Sequence, residues 1–469
     1  MSMRGLDRAQ ADFDRQFRRD SLGHRINTFL ACGTAFVACM PPGWAEVALW
    51  FPLAYALIRM TNTFPTIWRP WLMPAGLCIL VFVAWNVLSL AWSVNPEQGR
   101  NEIGKLRFAF VILVMWPVLD RRPAIIAAIS LGLLAGNMSQ IVHAIGQYFD
   151  IAWMRYPLAG SRVGWAFDPE GRGDPERNGG WWHPLVGASM LVAGLGLHLP
   201  PAFFGRGRAR VLGIGGSLAS AVGVIATGSR GAVLAAAALV ALLAGIALVR
   251  FLRSGSQDDH DRVPLGAKLV VVGGIAVFLG LVWNVAGDRV EKRAVRAADE
   301  VRRAINDKDF DSDNGARLLM AWWALEAVGE RPVGGVGAGG YEAWVRHHLA
   351  EQGIDPASRR IFQHAHNAIL HIAANTGIVG AALAIGVVGF AFVGGVRDIR
   401  RRGGGTWQGL GTYAAGPPFA LLGLVLVSPF DPIQFNTTTA FLLFILVALC
   451  PWWMPSERLP SQPQQPPPP

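Results

Sequence analysis

The sequence predicts an all-α integral membrane protein of about twelve transmembrane helices. Three observations predict it. Only 16% of the residues are charged and 52% are hydrophobic, whereas a soluble domain carries about 25% charged residues. Apolar runs of the length needed to cross about 30 Å of hydrocarbon recur along the chain. Finally, Lys and Arg concentrate in alternate connections, as expected when one side of a membrane retains positive charge. The mean hydropathy of +0.34 and the 18 Trp agree, since Trp favours the membrane–water interface.

In order, the expected spans are 26–41, 43–59, 71–92, 106–119, 123–147, 184–204, 211–227, 231–251, 267–286, 368–395, 414–429 and 438–454. Residues 1–25 form a basic N-terminus with Arg4, Arg8, Arg15, Arg18, Arg19 and Arg25, which places it in the cytoplasm. That stretch runs straight into the first apolar segment, with no small-residue cleavage pattern of a leader. The inner connections then hold Arg59 and Arg69, Arg121 and Arg122, Arg206, Arg208 and Arg210, Arg250 and Arg253, and Arg397 with Arg400, Arg401 and Arg402. The division is 26–286 for nine spans, 287–367 for an outer loop, 368–454 for three spans and 455–469 for a Pro-rich inner tail.

The net charge of +10 belongs to these inner loops and implies no nucleic-acid partner. Cys32, Cys39, Cys78 and Cys450 all lie in apolar runs without metal-ligand spacing and read as core residues.

Three outer segments depart from the charge rule. "SVNPEQGRNEIGKLR" carries Arg100, Lys105 and Arg107, and Asp150–His183 carries Arg155, Arg162, Arg172 and Arg177. The third, Gly287–Asn367, is too long for a plain connector and predicts structure of its own. Within it Arg289–Ile305 reads as an exposed helix, and "ARLLMAWWALEAVGE" as an amphipathic helix on the membrane surface. "GERPVGGVGAGGY" reads as a flexible turn beside a site; without a preceding strand it is no dinucleotide fingerprint.

Particular side chains then suggest chemistry. Arg230 opens a span on the outer side between Gly228, Ser229, Gly231 and Ala232, and reads as an anchor or as a phosphate ligand that small neighbours leave approachable. Arg317 opens the amphipathic helix, where the macrodipole does not call for a cation; Asp311 and Asp313 could pair with it. The run Asp307, Asp309, Asp311 and Asp313 lacks the glycine and closing Glu of a calcium loop and reads as a solvated acidic turn, not a metal site. Asn137, Gln140, His143 and Gln147 share one helical face, for interhelical hydrogen bonds or a wet cavity. His364, His366 and Asn367 stand at the outer mouth of the tenth span, with His371 about one turn further in, buried and structural. A neutral imidazole near pH 7 is the usual acceptor of a hydroxyl proton, with an expected apparent pKa of about 6–7. Two fixed cations and one base facing outward suit a sugar hydroxyl attacking a carbon whose leaving group is a lipid-linked phosphate.

His366 and Asn367, nine further residues, then Gly377-x-x-Gly380 resemble the signature of the O-antigen ligase/polymerase superfamily. "GSRGA" at Gly228–Ala232, Ala316–Tyr341 and "WSVNPEQGRNEIGKLR" are similar to further blocks of it, over roughly residues 71 to 450. Ala381 follows Gly380 where some ligases have Gly, Thr or Tyr. The resemblance implies a metal- and cofactor-independent GT-C type glycosyltransferase in the bacterial inner membrane, with its active site facing the periplasm. Its donor would be a glycan on undecaprenyl diphosphate and its acceptor lipid A–core. His366 would be the general base, and Arg230 and Arg317 the diphosphate clamp. His364, Asn367, Arg100 and Lys105 would join in binding substrate. An O-antigen polymerase and a protein O-oligosaccharyltransferase share these features. A lipid-glycan flippase is the rival from outside enzymes, but a transporter places charge and broken helices near the midplane.

Overall fold

The structure, a computed structural model, describes residues 14–149, 151, 180–253, 295–296, 298–402, 407–430 and 436–450. Every regular element among them is helical. The first half comprises α1 Ser21–Val37, α2 Pro42–Ala48, α3 Trp50–Ile58, α4 Met60–Ile67, α5 Pro74–Ser89, α6 Pro96–Gly104, α7 Val111–Met115 and α8 Arg122–Tyr148. The second comprises α9 Pro184–Phe204, α10 Gly207–Ala226, α11 Arg230–Arg253, α12 Asp313–Glu330, α13 Tyr341–Glu351, α14 Ala368–Arg402, α15 Gly416–Val427 and α16 Thr437–Leu449.

Among the described residues, six helical stretches are long and apolar enough to cross a membrane: Pro74–Trp92, Pro96–His143, Pro184–Phe204, Gly207–Ala226, Arg230–Val249 and Ala368–Arg402. Glu46–Ile58, Tyr413–Val427 and Thr437–Leu449 are shorter apolar helices. The chain is thus a multi-pass helical membrane protein. The expected ninth span, 267–286, lies outside the described residues, as do Arg155, Arg162, Arg172 and Arg177 and the tail 455–469.

Two expected spans are irregular, each for a chemical reason. In 43–59 the hydrogen-bond ladder is interrupted between α2 and α3, although Leu49 between them keeps helical angles (φ −73°, ψ −31°). Pro52 has no N–H to give the Ala48 carbonyl, and the Thr34 hydroxyl approaches that carbonyl instead at 3.4 Å. In 106–119, 3₁₀ turns at Lys105–Phe110 and Trp116–Arg121 flank α7, and Val118, after Pro117, is non-helical at φ −126°. This irregular stretch is sheathed in protein: Phe108, Ile112, Met115, Trp116 and Val118 are all buried. Irregular backbone at membrane depth is tolerated only under such cover.

Helix α9 is the axis of the bundle. Almost every residue from Pro184 to Pro201 is buried, as befits a helix apolar on all sides. Gly196 lies against the Phe419 backbone of α15, and Gly194 against Ser220 of α10, so small residues permit close helix approach.

The two ends of the bundle differ. At the basic end Asp398 of α14 accepts from Arg122 of α8 at 2.8 Å, a buried pair, and from the exposed Arg402 at 2.9 Å. His24 and Asp120 meet there at 3.1 Å. At the opposite end α12 and α13 pack on the start of α14 around Met320, Trp323, Tyr341, Trp344 and Val345, a core of their own. Helix α12 therefore has two apolar sides. One fills this core; Leu318, Trp322 and Leu325 line the other and are exposed.

Candidate functional site

The site is organised by a break in α14. Gly377 has φ +70° and ψ −176°, so the ladder stops there. In an unbroken helix the Ile378 N–H would bond the Ala374 carbonyl. Here Ile378 donates to the Pro332 carbonyl at 2.8 Å, and the Ala374 carbonyl accepts the Val336 N–H at 2.9 Å. The glycine-rich turn after α12 thus threads through the gap and satisfies both groups. The Trp85 indole donates to the Thr376 carbonyl at 2.8 Å, and Trp92 to Gly334 at 3.1 Å. On its other side the turn is tied down by Ser89 donated to by Ala338 N–H (3.1 Å) and by Ser93 donating to the Ala338 carbonyl (2.7 Å). Gly335, Gly337 and Gly339 have φ of 64°, 89° and 69°, each pressed on neighbouring backbone. The flexible turn expected from sequence is instead, over Gly335–Gly340, a buried and hydrogen-bonded plug, because Gly335, Gly337 and Gly339 allow backbone approaches that a side chain would block.

Above the break stands the histidine cluster. Asn367 caps α14: its Oδ1 accepts the Leu370 N–H at 3.0 Å, which makes its first role structural. His366, just before it, has φ +50°, and only Lys308 shares that sign among the described non-glycine residues. A left-handed residue of this kind costs about 1–3 kcal/mol and collects at functional sites. The His364 and His366 rings meet edge to face at 4.3 Å, and Phe362 packs on His366 at 5.2 Å. The His366 Nδ1 is buried with no hydrogen-bond partner among the described residues.

Burial, and then the Arg317 charge, push the His366 pKa down to about 4, against a small opposing pull from Asp313. Burial, followed by the charges of His366, His371 and, more weakly, Lys105, pushes His364 down to about 3. Both imidazoles are neutral at pH 7. The ordinary histidine titration expected from sequence is thereby corrected: the half-buried, cation-flanked position disfavours the imidazolium.

The arginines arrive from different elements. Arg317 lies in the second turn of α12, which is capped by Ser312 accepting from Gly315 N–H at 3.0 Å. Asp313 pairs with Arg360 at 3.1 Å, and Asp309 forms an Asx turn with Asp311 N–H at 3.2 Å. The acidic run is thus used locally. Arg230 begins α11 after a turn in which Gly228 has φ +64° and Thr227 accepts the Ser229 N–H at 3.3 Å. The next residue, Gly231, abuts the Phe430 ring, and nearby Ser428 accepts the Ala368 N–H at 2.9 Å. This chain of contacts brings the start of α11 to the start of α14. No hydrogen bond or ion pair engages Arg230 among the described residues.

Below the histidines runs a groove of about 390 Å³ between α5, α6, α14, α15 and α16. Its walls are apolar, with Ile79, Phe82, Ile385, Phe392, Leu443 and Phe444 among them. Its head is polar: Glu102, Lys105, His371, Asn375 and Ser428. Lys105 therefore lines the groove, whereas Arg100, two residues before Glu102 and on the other side of α6, is exposed. Glu102, Asn375 and His371 escaped the sequence reading as site residues. Asn375 donates to His371 Nε2 at 2.6 Å and to Glu102 at 3.2 Å, and accepts from Tyr341 N–H at 3.0 Å. The i, i+4 spacing of His371 and Asn375 was the available signal; Glu102 comes from a distant helix and left none. In α8, Asn137 and Gln140 pack on Gly223 of α10, which favours the interhelical reading of that stripe; the Gln147 side chain is outside the described residues.

No curated protein matches the chain. A family model described as O-antigen ligase matches residues 215–385, a stretch holding Arg230, Arg317, His366 and the glycine-rich plug, and this match supports placing the chain in the O-antigen ligase superfamily.

Proposed function

We propose that the protein is an O-antigen ligase, a GT-C type enzyme that moves a glycan from undecaprenyl diphosphate to a sugar hydroxyl of lipid A–core at the periplasmic face of the inner membrane. The carrying observation is His366: a strained residue, neutral at pH 7, whose buried Nδ1 lacks a partner among the described residues, beside Arg317 and two residues before Ala368, where the lining of an apolar groove begins on α14. The groove suits a polyprenyl chain, and the cations near its polar end, Lys105 in the lining and Arg317 beside His366, suit its diphosphate. His366 takes the proton of the acceptor hydroxyl as its oxygen bonds to the anomeric carbon. The bond from that carbon to the diphosphate oxygen breaks, and its electron pair stays on the phosphate. Arg230 and Arg317 stabilise the charge that develops there, with bidentate geometry that Lys lacks.

The depth of the site supports chemistry over transport. Crossing about 30 Å takes about 20 helical residues, which from Arg397 at the basic end reaches Gly377. Counted this way, the break in α14 would lie toward the outer boundary, whereas a transporter would have it at the midplane.

The test is transfer from purified lipid-linked donor to lipid A–core by the full chain in detergent. Arg230→Ala and Arg317→Ala should each abolish transfer while the protein stays folded, and Lys should restore it only in part. Full activity in both Ala variants would refute the clamp. Extension of the donor's own glycan in preference to lipid A–core would make the enzyme a polymerase.

A further inference from the structure

The proposed reaction leaves one carboxylate in the groove without a task. Glu102, on α6, is 14% exposed. Its Oε2 accepts from Asn375 at 3.2 Å and faces His371 Nε2 at 3.7 Å. Its Oε1 is buried and has no hydrogen-bond partner among the described residues. Leaving such an oxygen without a donor costs more than any ordinary hydrogen bond returns. The side chain lines the polar head of the groove with Lys105, His371 and Asn375.

A diphosphate cannot satisfy this oxygen. At neutral pH it offers acceptors, and its charge repels a carboxylate. The lipid chain has no polar hydrogen at all. The remaining part of a lipid-linked glycan at this depth is the sugar bonded to the diphosphate, whose hydroxyl or acetamido groups are neutral donors. We propose that Glu102 is a specificity residue: its Oε1 accepts a hydrogen bond from the first sugar of the donor. The assignment rests on the reading that the substrate is a lipid-linked glycan. It divides the work by charge: arginines hold the anionic leaving group, and a carboxylate reads the neutral sugar.

The experiment compares two ligands on the purified full-length protein. One is the glycosylated donor, followed by KM in transfer. The other is undecaprenyl diphosphate without a sugar, followed as an inhibitor. Glu102→Gln keeps an oxygen for Asn375 but turns the other end into a donor. It should raise the donor KM by about 10- to 150-fold, the range for a hydrogen bond to a charged group. Inhibition by the sugar-free lipid should be unchanged or tighter, because a negative charge has gone. Glu102→Asp, which retains the carboxylate, should fall between. An unchanged donor KM would overturn the proposal. So would equal weakening of both ligands, which would make Glu102 a support for Asn375 and His371. If Glu102→Gln does not fold, wild-type enzyme with donors whose first sugar lacks each hydroxyl or acetamido group in turn reads the same contact. One such donor should lose that factor; loss by none overturns the assignment. Failure of the parent reading looks different: the wild type would neither transfer the glycan nor be inhibited by undecaprenyl diphosphate.

Discussion

At the scale of single residues, the depressed pKa of His366 has two measurable consequences. On the proposed mechanism His366 must be neutral to act as base, and its pKa in the free protein is lowered to about 4. For wild type, kcat/KM should be flat across about pH 5.5–8.5 and fall only in more acid solution. Bound diphosphate brings negative charge beside Arg317 and favours the imidazolium, so the acid limb of kcat should lie at higher pH than that of kcat/KM. His366→Ala should slow transfer by about 10²–10⁴-fold and remove both limbs. A kcat/KM limb at an ordinary histidine pKa would mean that another group is the base. The same shift acts on stability. The unfolded chain's histidines bind protons below about pH 6.5, whereas His366 and His364 resist until about 4 and about 3. The unfolded state then holds more protons in that window. Their contribution to stability is complete above the unfolded pKa and is lost as the pH falls.

At the scale of elements, the plugged break in α14 accounts for the Gly377-x-x-Gly380 pattern. A Cβ at Gly377 would overlap the Val333 carbonyl, and at Gly380 it would overlap Thr376. Gly377→Ala adds that clash to a left-handed φ. It should destabilise the protein by more than the ~1–3 kcal/mol of backbone strain alone, read as a lower Tm in detergent, with transfer lost as the turn leaves the gap. A variant with wild-type Tm and activity would mean that the break is dispensable. The sequence makes much of this region legible, and the reason is local. Arg230, Arg317 and His366 stand out because each is a polar group at the edge of an apolar run. Helix limits emerge because hydropathy changes there: α8, α9 and α10 lie within a few residues of expectation. What stays hidden is non-local. Glycines that plug a distant helix look the same in sequence as glycines of a loose turn. Pro52 and Pro117 interrupt the hydrogen-bond ladder of spans whose composition is otherwise continuous. Glu102 joins His371 and Asn375 only through the packing of α6 on α14.

For the whole molecule, function depends on sidedness: histidines and arginines at one end, the Arg122–Asp398–Arg402 cluster at the other. The basic end should face the cytoplasm, because the Arg residues at 121–122, 206–210 and 400–402 gather there. On the proposed reaction the donor's diphosphate would then meet its acceptor outside, above a lipid chain in the groove. Single-cysteine labelling tests this arrangement on the intact chain. The native background is favourable, since Cys39 and Cys450 are buried and Cys32 and Cys78 are only partly accessible among apolar neighbours. Ser358 is exposed on the turn before the histidines, and Arg401 is exposed at the far end of α14. In spheroplasts, an impermeant maleimide should label Ser358→Cys at once and Arg401→Cys only after lysis. The interval between the two sites is one crossing by α14, so the pair reports that helix directly and does not depend on how many spans precede it. Labelling of Arg401→Cys in intact spheroplasts, with Ser358→Cys protected, would turn the site toward the cytoplasm. Transfer to a periplasmic acceptor would then be impossible whatever the roles of His366, Arg230 and Arg317.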